Sequence, residues 1–239
     1  MNQRSPADLM RDNLQVVTAV LPAALEARVE RLLYLASSCT YPRGASQPMA
    51  PSSLWSGPLE PTSQPYAVAR LAGLELVRAL RCQHQVRFVS AIPADAFGPD
   101  DAFDAENAHV VPALLRRFAE ARAAGAPFVE VWGSGRPVRE PIYADDVADA
   151  CLHVLEHHDE DEPINIGSGW VMSVAQIAAT IKDVVGYRGE VRFDASKPDG
   201  APTKVLDSAP LLRLGWRPRW SFQDALRATY EAFRQRSHG

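Results

Sequence analysis

The sequence predicts an α/β fold in which a truncated doubly wound parallel sheet continues into a smaller C-terminal substrate-binding lobe. Residues 32–36 form a continuous apolar run with no polar alternation and read as a strand buried on both faces, and a second apolar run, residues 86–92, reads as the next strand. The first run gives way at its carboxyl end to Ser37, Ser38, Cys39 and Thr40, and the carboxyl ends of such strands are where open parallel sheets carry ligands. The hydroxyls of Ser37 and Ser38 and the Cys39 thiol thus arrive together at one strand end.

The elements follow in order. Ser5, Pro6 and Asp8 have the pattern of a helix start, and Met10, Leu14, Val17 and Leu21 continue it at helical spacing until Pro22, which is expected to kink or interrupt the helix. Strand 32–36 comes next, then a loop rich in Pro, Ser and Gly up to Pro61. Thr62, Ser63 and Pro65 open a helix with a narrow stripe of Ala69, Ala72, Leu76 and Leu80. Tyr66 and Arg70 lie four apart on one face of its first turns. Strand 86–92 follows, then a helix between Pro112 and Gly125, and a short strand at 129–132. Asp145 and Asp146 suit a helix N-terminus better than a carboxylate pair. Residues 163–166 read as another buried strand. Ser173 with Gln176 forms a capping box, Ser221 with Asp224 caps the last helix similarly, and between them lie strand 190–193 and a loop holding Lys197, Asp199 and Lys204. The domain division is 1–95 for the sheet and 96–239 mainly for the lobe, with 143–168 returning to the sheet.

Composition narrows the function. The chain has 239 residues, 46% hydrophobic and 23% charged, which is enough to bury a sizeable core. A net charge of −4 gives no basic field for nucleic acid and no polybasic patch for a membrane. The three cysteines, Cys39, Cys82 and Cys151, are odd in number and widely spaced, so they fit neither a disulfide framework nor a metal site and point to a reducing, cytoplasmic setting. No signal peptide and no apolar run long enough to span a bilayer is present. Cys82 and Cys151 read as packing groups, and His84, His153, His157 and His158 as helix-surface residues.

A dinucleotide site of the usual kind needs a strand, a glycine-rich turn and a helix whose N-terminus faces the pyrophosphate. The first 31 residues contain no glycine, and Gly133 and Gly135 are followed by Arg136, Pro137 and Val138 rather than by a helix. Neither stretch has the fingerprint.

Ser37 at a strand end, with Tyr66 and a cation four residues on, resembles the layout of the short-chain dehydrogenases. Ser37-Ser38-Cys39-Thr40-Tyr41-Pro42, Gly57-Pro58-Leu59-Glu60-Pro61-Thr62, Asn107-Ala108-His109-Val110, Trp132-Gly133-Ser134-Gly135 and Ser196-Lys197-Pro198-Asp199-Gly200 narrow the resemblance. Together they are similar to the GDP-L-fucose synthase type of extended short-chain dehydrogenase, within the NAD-dependent epimerase/dehydratase family and its Rossmann-like fold. Such enzymes epimerise a GDP-4-keto-6-deoxyhexose at C3 and C5, then reduce C4 with NADPH. The resemblance implies that Ser37 and Tyr66 hold the C4 oxygen, that Cys39 and His109 are base and acid, and that Arg117, Trp132, Arg139 and Lys204 line the GDP-sugar site. Taken alone, Cys39 is as well explained as a small buried hydrophobe and His109 as a helix-start residue.

Departures from the pattern fall on the cofactor side. The first strands and the glycine-rich turn are lacking, Arg70 stands where the pattern has the lysine that grips the nicotinamide ribose, and Ala94 and Asp95 replace a Thr and an Asn. Enolisation beside a ketone needs a base, an acid and donors to the oxyanion but no hydride. The leading expectation is therefore a nucleotide-sugar isomerase that carries out 3,5-epimerisation with no cofactor in this chain alone, although the parent family uses NADP. Two alternatives stand beside it: the substrate half of a split or truncated NADPH-dependent epimerase/reductase, and a non-catalytic GDP-sugar-binding or scaffold protein. A homodimer is expected, and the outer edge of strand 32–36 is open to a separate subunit.

Overall fold

A computed structural model describes residues 4–103 and 109–237. The elements are α1 (Pro6–Glu26), β1 (Arg31–Leu35), α2 (Gln64–His84), β2 (Arg87–Pro93), β3 (Asp95–Phe97), α3 (Val110–Ala123), β4 (Phe128–Trp132), β5 (Val138–Arg139) and β6 (Pro141–Tyr143). They continue with α4 (Ala144–His157), β7 (Ile164–Ile166), β8 (Met172–Ser173), α5 (Val174–Val185), β9 (Glu190–Asp194), β10 (Thr203–Lys204), α6 (Ala209–Arg213) and α7 (Phe222–Ser237). The chain forms two compact units: residues 1–94, 147–167 and 206–217 make the first, and 95–146, 168–205 and 218–239 the second. Among the described residues no helix is long and apolar enough to cross a membrane.

The first unit is built on a parallel sheet of order β1-β2-β7. Phe88 to Ile92 are buried without a break along β2, and Ile164 to Ile166 likewise in β7. β1 departs from the sequence reading. It lies at the sheet edge among the described residues, Leu32 and Leu33 are half-buried, and Leu35 is 37% exposed, so the apolar run does not mark a strand covered on both faces. α1 packs along α2 and runs unbroken through Pro22 to Glu26, contrary to the expected interruption. Leu21 and Ala24 on either side of the proline are buried, and that packing holds the last turn in place.

Residues 206–217 join this unit through contacts that no local pattern announces. Asn165 in β7 donates to the carbonyl oxygens of Met49 at 2.8 Å and Asp207 at 3.0 Å, and the Trp216 indole donates to Asp149 at 2.9 Å.

The second unit gathers Phe97, Leu115, Phe118, Val131, Ile177, Ile181 and Leu226 into one core. Its strands pair in short ladders: β3 with β6, β4 with β9, and β10-β5-β8, all parallel except β5 with β8. Ser173 and Gln176 form the expected capping box, and α5 ends at Gly186 in the left-handed region, φ 72°. Asp146 is buried and accepts from the backbone amides of Arg219 and Trp220 at 2.9 and 3.4 Å.

Candidate active site

The residues singled out from the sequence divide between the two units: Ser37, Cys39, Tyr66 and Arg70 lie in the first, and His109, Arg117, Trp132, Arg139 and Lys204 in the second. Each group has its own geometry. Asn107 and Ala108 of the His109 motif lie outside the described residues.

In the first unit the chain leaves β1 and turns at once into a single 3-10 turn, Ser38–Thr40. Ser37 is its N-cap: the hydroxyl accepts from the Cys39 amide at 3.3 Å, and the Thr40 hydroxyl donates to the Ser37 carbonyl at 2.7 Å. These bonds hold together the turn that carries the Ser37 hydroxyl and the half-buried Cys39 at the end of β1. The turn packs on α2, whose opening turns carry Tyr66 and Arg70. The Arg70 guanidinium lies 5.1 Å from the Tyr66 ring centre, and its Nη1 reaches the Leu35 carbonyl at 3.3 Å. Burial works against the Arg70 charge, but Tyr66 and Tyr34 beside it offset this and raise its pKa above the usual value. Arg70 Nε is buried and has no hydrogen-bond partner among the described residues. Tyr41 closes the motif from inside, its hydroxyl donating to Asn165 Oδ1 at 2.6 Å.

In the second unit Lys204 is not in a loop, as the sequence suggested, but on β10. The β10–β5 register sets Lys204 directly opposite Arg139. Lys204 Nζ lies 2.7 Å from Asp95 Oδ1 at the start of β3. A cavity of about 40 Å³ is lined by Asp95, His109 and Arg139 among others. Burial opposes the Asp95 charge, yet Lys204, with His109 and Arg139 near, holds its carboxyl below the usual carboxylate range. Burial depresses the Arg139 pKa, partly countered by Asp95 and Asp199.

Arg117 and Trp132 meet away from that cavity. The Arg117 guanidinium lies 5.0 Å and Lys197 Nζ 5.8 Å from the Trp132 ring centre, and the indole is 59% exposed. An open groove beside them is lined by Arg117, Glu120, Phe128, Glu130 and Trp132. Gly133 and Gly135 turn the chain between β4 and β5 at φ 87° and 75° and open no helix. The Asp199 carboxylate clasps that turn, accepting from the Ser134 amide at 2.5 Å and the Ser134 hydroxyl at 2.7 Å.

Sequence reasoning treated Asp95 only as a departure and gave Lys197 and Asp199 no separate role. Only the strand register and the folded loop bring them to the cations and the indole. The cysteine and histidine expectations also need correction, since Cys82 is exposed on α2 and His158 is buried with its Nε2 3.0 Å from the Glu162 carbonyl. Among the described residues no group of three His, Cys, Asp or Glu side chains is placed to hold a metal ion.

The model of the NAD-dependent epimerase/dehydratase family matches residues 1–167. A putative GDP-L-fucose synthase of Arabidopsis thaliana is 46% identical over 230 residues, covering 96% of this chain and 70% of the plant protein. The GDP-L-fucose synthase of Escherichia coli K12 is 45% identical over 241 residues, covering 97% of this chain and 75% of its own length. Among solved structures, a GDP-L-fucose synthetase from Naegleria fowleri bound to NADP superposes with a TM-score of 0.89 at 29% identity, covering 95% of this chain and 73% of that one. This likeness overturns the expectation that no cofactor attends the chain, since the solved relative carries NADP. That expectation rested on the strands and glycine-rich turn not found in the sequence and on the changes at Arg70, Ala94 and Asp95, and a pyrophosphate cradle is only one part of a nicotinamide site.

Proposed function

The chain belongs to the NAD-dependent epimerase/dehydratase family, and we propose that it serves an NADP-dependent GDP-L-fucose synthase-type epimerase/reductase acting on a GDP-4-keto-6-deoxyhexose. The likeness at 45–46% identity across nearly the whole chain carries this reading. A reaction limited to cofactor-free epimerisation is the weaker of the two readings, because the relatives are named as synthases and the solved one holds NADP.

Residues of the first unit fit one end of the cofactor. The buried, unpartnered Arg70 Nε is a donor that an oxygen-rich ribose suits, and Tyr66 lies against the same guanidinium. Arg70, Tyr66 and Ser37 are the residues proposed to meet the nicotinamide and its ribose. When bound, NADPH supplies the hydride for the C4 carbonyl.

This chain's own side chains are assigned the proton chemistry. Protons at C3 and C5 are acidified by the C4 ketone, and Cys39 is the proposed base that removes them. Negative charge then collects on the C4 oxygen, where the Ser37 and Tyr66 hydroxyls donate to it. His109 supplies the returning proton, which sets the inverted configuration. Arg139 and Lys204 take the diphosphate, because guanidinium and ammonium donors form charge-assisted bonds with phosphate oxygens. Trp132 and Arg117 offer the nucleoside an indole face and a cation.

Val16 and Val20, 62% and 52% exposed on α1, support pairing of two copies, and the outer edge of β1 is where a further strand would add to the sheet.

The test is proton NMR of GDP-4-keto-6-deoxymannose in deuterated water, run with the purified chain and with or without NADPH. Solvent exchange at C3 and C5, followed by C4 reduction only when NADPH is added, supports the full reading. Exchange without reduction leaves the isomerase reading standing, and neither process refutes both.

A further inference from the structure

The Asp95 carboxylate lies against Lys204 and shares a small cavity with Arg139, the two cations proposed above for the diphosphate. Parallel pairing of β5 with β10 sets Lys204 opposite Arg139, so both side chains leave the same face of one ladder. Two cations directly opposite each other repel. Asp95, at the first position of β3, pairs with Pro141 of β6, two residues beyond Arg139. Its Oδ1 lies 2.7 Å from Lys204 Nζ, and it lines the same small cavity as Arg139 and His109.

We propose that Asp95 is a built-in counter-anion for the Lys204–Arg139 pair, which an incoming diphosphate must displace, so that Asp95 sets how tightly this pocket holds its anionic ligand. The ligand class follows from reading the pocket as the diphosphate end of a sugar-nucleotide site, and the inference rests on that reading.

Charge and exposure make the exchange feasible. Lys204 and Asp95 keep 24% and 32% of their side-chain surface exposed, so solvent and an incoming anion can reach the pair. A lysine ammonium has three donors on a flexible stem and can swing from a carboxylate to a phosphate oxygen. Arg139 is less free to move, because its Nη1 donates to the carbonyls of Val138 and Ala201, both at 2.8 Å. Arg139 therefore stays as a fixed cation while Lys204 changes partner. Once a diphosphate is in place, the carboxylate adds repulsion, and affinity is held below what the two cations alone would give.

Calorimetric titration of the full chain with inorganic pyrophosphate, and then with GDP, tests this at fixed low ionic strength. Asp95→Asn is expected to bind pyrophosphate about tenfold more tightly, the change expected from removing one like charge next to a partly exposed ligand. Asp95→Glu, which keeps the charge, is expected to bind as the unaltered chain does. Lys204→Met is expected to weaken binding, and adding Asp95→Asn to it to recover less than threefold, because the competition runs through Lys204. Equal or weaker binding by a folded Asp95→Asn chain overturns the proposal. An undiminished gain in the Lys204→Met background does so as well, and so does the absence of pyrophosphate binding by both the unaltered and the Asp95→Asn chains. The readout needs no turnover: if the pyrophosphate shift appears without ketosugar chemistry, the proposal stands and the enzymatic reading fails. Turnover without the shift has the opposite meaning.

Discussion

Tyr34 in β1 lies directly beneath Gly73 of α2, so close that a Cβ on Gly73 would overlap the phenol ring, while the Tyr34 hydroxyl donates to the Arg70 carbonyl at 3.2 Å. This contact sets how near the helix bearing Tyr66 and Arg70 comes to the strand that ends at Ser37. Gly73→Ala is expected to destabilise the chain by about 1–3 kcal/mol through overpacking, read as a lower urea midpoint with unchanged slope. Adding Tyr34→Leu should recover part of the loss, because the two changes share one contact. No loss in the single variant would mean that the helix does not need this close approach.

Trp132 is expected to report nucleotide directly. Because the indole is 59% exposed between Arg117 and Lys197, Trp132→Ala should leave stability within about 0.5 kcal/mol. The same change should weaken GDP binding by roughly tenfold or more, the range for loss of a base-stacking aromatic. In the unaltered chain, GDP should change Trp fluorescence, and that change should disappear in the variant.

Cys39→Ala and His109→Ala are each expected to slow deuterium exchange at C3 and C5 of the ketosugar by at least about a hundredfold, as loss of a general base or acid does. Both variants should keep GDP affinity, since neither group is assigned to the nucleotide. Exchange at the normal rate in either variant removes that residue from the proton chemistry.

Tyr41 links stability to alkaline pH. Burial, against a smaller opposing effect of its bond to Asn165, pushes the phenol pKa well above its ordinary value near 10. The folded state thus keeps a proton that the unfolded chain gives up. This contribution is complete below the unfolded value of about 10 and is lost progressively as pH rises above it towards the folded value. Thermal denaturation should show Tm falling above pH 10, with a shallower fall in Tyr41→Phe, alongside a cost at every pH for the lost bond to Asn165.

Much of the fold was legible wherever a single element carries its own signal. The capping box at Ser173 and Gln176, the buried run of β2 and the hydroxyl-rich end of β1 are local patterns, and the structure keeps all three. Local patterns failed where burial is decided by neighbours. Residues 32–36 are the more continuously apolar run, yet among the described residues they form an edge strand, and 86–92, with Arg87 and Ser90 in it, supplies the central one. Pro22 has the form of a helix breaker, yet packing at Leu21 and Ala24 carries the helix past it. The candidate site divides in the same way. Ser37, Cys39, Tyr66 and Arg70 are set by one strand end and one helix start, whereas the pairing of Asp95 with Lys204 spans 109 residues and exists only through the register of two-residue strands.

The division of the chain into units also bears on how the protein is made. It passes from one unit to the other five times, so neither unit is a continuous stretch of sequence. The first unit needs residues up to 217 before the Trp216 indole can reach Asp149, and the second needs α7 to finish its core. On a ribosome releasing roughly 5–20 residues per second, the first unit therefore waits for residue 217 and the second for α7, so neither can fold as a contiguous domain would. Nascent chains should stay open to protease until α7 has emerged. Closing contacts of such long sequence separation also places this protein among slow folders rather than fast ones.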